Sequence, residues 1–128
     1  MQHRVLQNYL DNVEQAIESL ENVDVERYVE EHITPERTNL RIRIRFEQGI
    51  LLAINEAIAL INAQLTTLDY RYHCQDNTHQ LVFRYDSTPH FPNLSTFPHH
   101  KHLPDDVIAS DKPTIMQVLQ EVVQFGDL

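Results

Sequence analysis

The segment Phe97-Pro-His-His-Lys-His102 sets three imidazoles and one ammonium on four consecutive positions, shortly after Pro89-His90-Phe91-Pro92. Histidine titrates near neutrality, and a lysine can stabilise charge that develops on a reacting oxygen. General acid–base work beside a phosphate is therefore the leading reading of His99, His100, Lys101 and His102. Two others stand beside it. The imidazoles could hydrogen-bond backbone groups in a packed segment. Alternatively, His100 and His102, which point the same way in an extended chain, could hold zinc. The sequence has one cysteine, Cys74. A structural zinc site built of histidines alone is atypical, so no metal and no cofactor is expected.

A second set of polar groups comes from strand alternation. Leu40, Ile42, Ile44 and Phe46 face one way, and Arg41, Arg43 and Arg45 the other. Leu68–Cys74 and Leu81–Asp86 alternate in the same manner. A two-residue turn at Asn77-Thr78 would pair Tyr70 with Tyr85, Tyr72 with Phe83 and Cys74 with Leu81 on an apolar face. Arg71 would then lie opposite Arg84 on the other face, flanked by His73 and Asp86. Like charges facing each other cost stability, so an anion, or a carboxylate such as Asp86 or Glu56, is expected between them. The arginine fork suits phosphate. The plainer reading, a solvated face with cross-strand ion pairs, is preferred for the edge arginines. Glu56 is the only charge in the apolar run of residues 50–60 and needs a partner there. It either salt-bridges an arginine or serves as a base with a raised pKa. Cys74 falls on the apolar face, without an activating base, and is read as buried and inert.

The elements that position these groups follow from periodicity. Leu6, Tyr9, Leu10, Val13, Ile17 and Leu20 recur at helical spacing. Val23, Val25, Val29 and Ile33 favour a strand over a continued helix. "TPERTN" reads as a loop. Glu47-Gln48-Gly49 reads as a three-residue hairpin loop, with Gly49 at a positive φ and Ile50, Leu52 and Ile54 opposite Phe46, Ile44 and Ile42. A further turn falls near Asn62-Ala63. Residues 87–112, rich in Pro and His, read as irregular, as functional or mobile segments often are. A last helix carries Ile115, Val118, Leu119, Val122 and Val123, with Asp111 as N-cap and Pro113 early in its first turn. The order is a helix, about five strands in an antiparallel meander, the irregular His/Pro segment and a helix. This is a two-layer α+β domain with the arginines on the face away from the helices.

Length and composition bound the reading. A chain of 128 residues with 41% hydrophobic and 23% charged side chains is expected to form one domain, over 1–128, and not a disordered polymer. The lone cysteine points to a reducing compartment, no apolar run approaches a membrane span, and the start shows no signal-peptide core. A cytoplasmic protein with no membrane association is expected. The net charge of −9 argues against a generic nucleic-acid binder. Its distribution is uneven: −6 over residues 1–39, +1 over 40–102 and −4 over 103–128. Six of the eight histidines lie in the middle block, so an anion would bind there.

The stretches "LRIRIRFEQGILLAINE", "LDYRYHCQDNTHQLVFRYDSTPHFPNLSTFPHHKHLPDDV" and "PTIMQVLQEV" resemble the TumE family of prokaryotic toxin–antitoxin toxins. The resemblance runs from about Leu40 to Val123. Its most specific pieces are Tyr70-Arg-Tyr-His73, Phe83-Arg-Tyr-Asp86 and Phe97–His102, in that order. The family typically keeps a Glu near Glu56. It often has Trp or Tyr where this chain has Cys74, and Gly in the turn where this chain reads Asn77-Thr78-His79. The resemblance implies a small protein acting beside a cognate antitoxin, usually a helix-turn-helix protein. The layout is similar to that of RNA-cleaving toxins of the RelE type, by analogy of fold.

On that basis the leading expectation is a metal-independent endoribonuclease acting on RNA. His73, Glu56 or one of His99, His100 and His102 would take the 2′-hydroxyl proton, and another histidine would protonate the leaving oxygen. Arg71, Arg84 and Lys101 would hold the phosphate, with Tyr85 and Asp86 beside them as further binding residues. The alternative is a non-catalytic module that binds protein or nucleic acid and partners a DNA-binding antitoxin. The oligomeric state is open, a homodimer included.

Overall fold

The computed structural model describes residues 3–127. Met1 and Gln2, part of the start in which the sequence shows no signal-peptide core, lie outside the described residues, as does Leu128. Helix α1 spans Arg4–Glu18 and α2 spans Ile115–Gly126. Between them run β1 (Asp24–Thr34), β2 (Arg37–Arg45), β3 (Leu51–Ile61), β4 (Gln64–Gln75), β5 (Leu81–Asp86), β6 (His100–Leu103) and β7 (Asp106–Ala109). All pair antiparallel in chain order, so the sheet is an unbroken meander. Among the described residues no helix is long and apolar enough to cross a membrane.

The α+β reading holds, but the meander has seven strands where about five are expected from the sequence. The added pair, β6 and β7, falls inside the stretch read as irregular. Each is only four residues long, and Pro104-Asp105 joins them. So short a run of His, Lys and Leu carries little hydrophobic period.

One face of the sheet meets both helices in a single core. Leu6, Leu10, Val13 and Ile17 of α1 and Ile115, Val118, Leu119 and Val122 of α2 close on Leu40, Ile42, Ile44, Leu52, Ile54, Tyr72, Cys74 and Phe83. Each fully buried side chain of this kind contributes about 1.5–3 kcal/mol. The Glu47–Gly49 loop behaves as the alternation predicts. Ile42 pairs with Ile54 and Ile44 with Leu52. Gly49 has φ 78°, and a Cβ there would lie 2.8 Å from Asn77 Cβ. Asn62 and Ala63 both turn at positive φ. Helix α2 starts one turn later than a cap at Asp111 would place it. Thr114 is the N-cap, its hydroxyl accepting from Gln117 N–H while the Gln117 side chain accepts from Thr114 N–H.

The β4–β5 hairpin corrects the expected register. Arg71 pairs with Asp86, His73 with Arg84, Tyr72 with Tyr85 and Cys74 with Phe83. The turn is longer than two residues because the Asp76 carboxylate accepts from the Thr78 and Gln80 N–H groups, and His79 takes a positive φ. A slip of two residues leaves every side chain on its predicted face but changes its neighbour. Arg71 and Arg84 are therefore not a like-charge pair.

Glu56 points to the helix side and is 3% exposed. The Tyr9 and Tyr72 hydroxyls both donate to its carboxylate, and Lys112 Nζ lies 3.9 Å away. The partner the sequence demands is thus two phenols and a lysine, not an arginine. Burial first, and Glu56 second, push both tyrosine pKa values upward, so both stay protonated donors. Removing one donor leaves part of a buried carboxylate unsatisfied. Tyr72→Phe is expected to lower the unfolding free energy by about 1.5–3 kcal/mol in urea denaturation; an unchanged midpoint would contradict the Tyr72 hydroxyl as a partner that Glu56 needs.

Candidate active site

Strand register lays two rows of side chains across the face of the sheet away from the helices. One row runs Arg43, Ala53, His73, Arg84 and His102 from β2 to β6. The other runs Arg41, Asn55, Arg71, Asp86 and His100. Alternation along β6 therefore sends His100 and His102 to the arginine face and Lys101 to the helix face.

Asp86 is the hub. It is 5% exposed, and His100 is 1% exposed. Arg84 Nε donates to Asp86 Oδ2 at 3.1 Å, and the Thr88 N–H donates to Oδ1 at 3.1 Å. His100 Nε2 lies 2.8 Å from Oδ1, while His100 Nδ1 lies 2.9 Å from the Pro98 carbonyl. Both His100 nitrogens are thus held by protein oxygens, which fixes the ring's orientation. His102 Nε2 receives Arg84 Nη2 at 3.3 Å and sits 3.0 Å from His100 Nε2. Burial first, then the Arg84 cation, push the His102 pKa below the usual histidine value. Its Nε2 is therefore a neutral lone pair among donors near pH 7.

These groups line a cavity of about 430 Å³ together with Arg71, His90 and Phe91. The Phe91 ring packs edge-on against His100 and His102, at 5.0 and 5.8 Å between centroids. Thr88, His90 and Phe91 are not among the candidates drawn from sequence; the Pro89-His90-Phe91-Pro92 run is the one signal.

The other candidates lie elsewhere. Lys101 Nζ pairs with Glu121 of α2 at 2.6 Å, and the Tyr85 hydroxyl donates to the same carboxylate at 2.6 Å. Neither can join Arg84 in one pocket, because Tyr85 follows Arg84 directly along β5 and Lys101 pairs with Tyr85, so both point to the opposite face. Glu56 is on the helix side as well. His99 Nδ1 lies 2.8 Å from the Tyr70 hydroxyl, with the two rings stacked. His73 is on the arginine face but half-buried, held by Gln75 at 3.2 Å, and its pKa is lowered chiefly by burial. Cys74 is buried, its thiol pushed up to about 12 by burial.

Asp86, His100 and His102 also place one donor atom each within 4.8 Å of one another, the outline of a metal site. Arg84 already uses two of those donors, and a divalent ion there would have to displace it.

Asp86→Ala removes the shared acceptor of the buried His100 and the partly buried Arg84 and is expected to cost about 3–5 kcal/mol in urea unfolding. Arg71→Ala, at an exposed position, is expected to change it by less than about 0.5 kcal/mol. Equal costs for the two would contradict Asp86 as the hub.

A family model described as Toxin TumE matches residues 13–126. No curated protein and no solved structure matches the chain. The match takes in the whole sheet, both rows of polar residues and all of α2, so the chain belongs to the TumE toxin family and is a toxin of a toxin–antitoxin system.

Proposed function

We propose that this toxin is an endoribonuclease that cleaves RNA without a metal ion at the pocket around Asp86. The observation that supports it is the placement of His102 Nε2 between the Arg84 guanidinium and the buried Asp86–His100 pair. A phosphodiester seated on Arg84 and Arg71 takes over the Arg84 Nη2 donor and leaves the His102 Nε2 lone pair open to its 2′-hydroxyl. His102 takes the 2′-hydroxyl proton as the 2′-oxygen bonds to phosphorus. The bond from phosphorus to the 5′-oxygen breaks, and His90, on the pocket rim, returns a proton to that oxygen. The products are a 2′,3′-cyclic phosphate and a 5′-hydroxyl. Arg84 and Arg71 offset charge on the phosphorane oxygens. His100 and Asp86 position His102 and do not touch substrate. In this reading Glu56, His99, Lys101 and Tyr85 hold the scaffold. The proposed partner is a helix-turn-helix antitoxin that covers the pocket. The polar sheet face opposite two helices supports the analogy to RelE-type toxins.

Purified protein incubated with total RNA is expected to give fragments with 5′-hydroxyl ends, unaffected by chelator. His102→Ala and Arg84→Ala are expected to lose about 10²–10⁴-fold in rate and to relieve growth arrest. Absence of cleavage alongside a stable antitoxin complex would overturn the reading in favour of a binding module. The converging donors of Asp86, His100 and His102 favour one second reading, a metal-assisted nuclease; cleavage abolished by chelator and restored by zinc would establish it in place of the first.

A base must be unprotonated, so activity falls as pH drops through its pKa. The acidic limb of the kcat/KM profile is expected below pH ~6.5, the ordinary histidine value. Arg84→Gln removes a cation that lowers the His102 pKa, so the limb should move to higher pH. A limb that stays in place in this variant would contradict His102 as the base.

A further inference from the structure

We infer that the arginine-lined groove over β2, β3 and β4 is a binding track for the backbone of single-stranded RNA leading into the pocket, an inference that rests on the cleavage reading for the identity of the ligand. The groove has a volume of about 580 Å³ and shares Asp69, Tyr70 and Arg71 with the pocket, so the two are continuous.

Pairing separates its arginines from their neighbours. Arg43 and Arg45 are both held by Glu26, and Arg84 by Asp86. Arg37, Arg41 and Arg71 line the groove, and among the described residues none has a carboxylate within 4.0 Å. Arg27 on β1 and Arg4 on α1 also lack such a carboxylate, but they lie outside the groove, whereas Arg37, Arg41 and Arg71 line it together. Two acids line the groove beside these three cations, Asp69 and Glu56, and the Glu56 carboxylate is taken up on the helix side by Tyr9 and Tyr72. In a chain of net charge −9, this local excess is a site and not a reflection of composition.

The register gives the direction. Arg41, Asn55 and Arg71 lie side by side on β2, β3 and β4, and the same row continues to Asp86 and His100 on β5 and β6. Strands are about 4.8 Å apart, so β2 lies about 19 Å from β6 across the sheet. That length spans several nucleotides. The two rows are about 7 Å apart along the strands, wide enough for one phosphodiester backbone and too narrow for both backbones of a duplex. Ala57 lines the floor between the guanidiniums, so a backbone can approach closely. Asn39, at the edge, leaves its side-chain oxygen buried without a hydrogen-bond partner, an acceptor for the amino group of a base.

The test is fluorescence anisotropy with an uncleavable 2′-O-methyl oligoribonucleotide of about 12 nucleotides, read over a range of salt. Arg41→Ala and Arg71→Ala are each expected to weaken binding about tenfold, the size of one charge-assisted hydrogen bond. Each should also make the slope of log K against log salt shallower by about 0.7. Arg4→Ala, which removes an exposed arginine from α1, is the charge-matched control and should change neither. If both groove variants bind like wild type, or if wild type does not bind the probe, the track is overturned. If the wild type binds with this arginine dependence yet cleaves no natural RNA, the track stands and the cleavage reading falls. If cleavage occurs without arginine-dependent binding, the cleavage reading stands and the track falls.

Discussion

A buried carboxylate must be satisfied, and in this protein the arrangement of the open sheet face follows from how Asp86 is satisfied. Its two oxygens collect Arg84 from its own strand, His100 from β6 and the Thr88 N–H from the segment between them. Leaving such a charge unpaired would cost several kcal/mol. The pairing therefore holds β6 in register with β5 and draws the irregular 87–99 segment over the sheet. Once β6 is fixed, His102 stands against Arg84, its Nε2 3.3 Å from the guanidinium, and it lines the cavity.

Strand alternation then divides the chemistry of the chain into two sets. On the helix side, Glu56 with Tyr9, Tyr72 and Lys112, and Glu121 with Lys101 and Tyr85, tie the helices to the sheet. On the other side, imidazoles and guanidiniums meet over a cavity that the helices do not cover. The consecutive residues His100, Lys101 and His102 contribute to both. This division packs one face of the sheet against the helices and leaves the other uncovered by them.

Much of this is legible in the residues themselves. The strict alternation of Leu40–Phe46, the Glu47–Gly49 loop and the apolar stripe of α2 each have one physical solution, and the structure adopts it. The Arg71–Arg84 opposition fails because a turn of two residues and one closed by the Asp76 side chain differ by an even slip. Hydrophobic pattern is blind to an even slip, since both registers bury the same side chains. The β6–β7 hairpin escapes sequence reasoning for the opposite reason. Its residues are too few and too polar to show a period, and its buried His100 is matched by Asp86 on β5, a partner distant in sequence. The burial of Glu56 demands a partner, but phenols from α1 and β4 can be identified only once the helix is docked. The gathering of His100 and His102 with Arg84 matches expectation; the departure of Lys101 and His99 to other surroundings does not, although alternation alone implies it for Lys101.

The central claim is that a phosphodiester is held between Arg84 and His102 on the face away from the helices. A crystal structure of the protein with an uncleavable 2′-deoxy substrate analogue tests it most directly. The account predicts the scissile phosphate within hydrogen-bonding distance of Arg84 and His102, with the neighbouring phosphates following Arg71. A nucleotide bound instead beside Lys101 or Glu56, on the helix side, would contradict it.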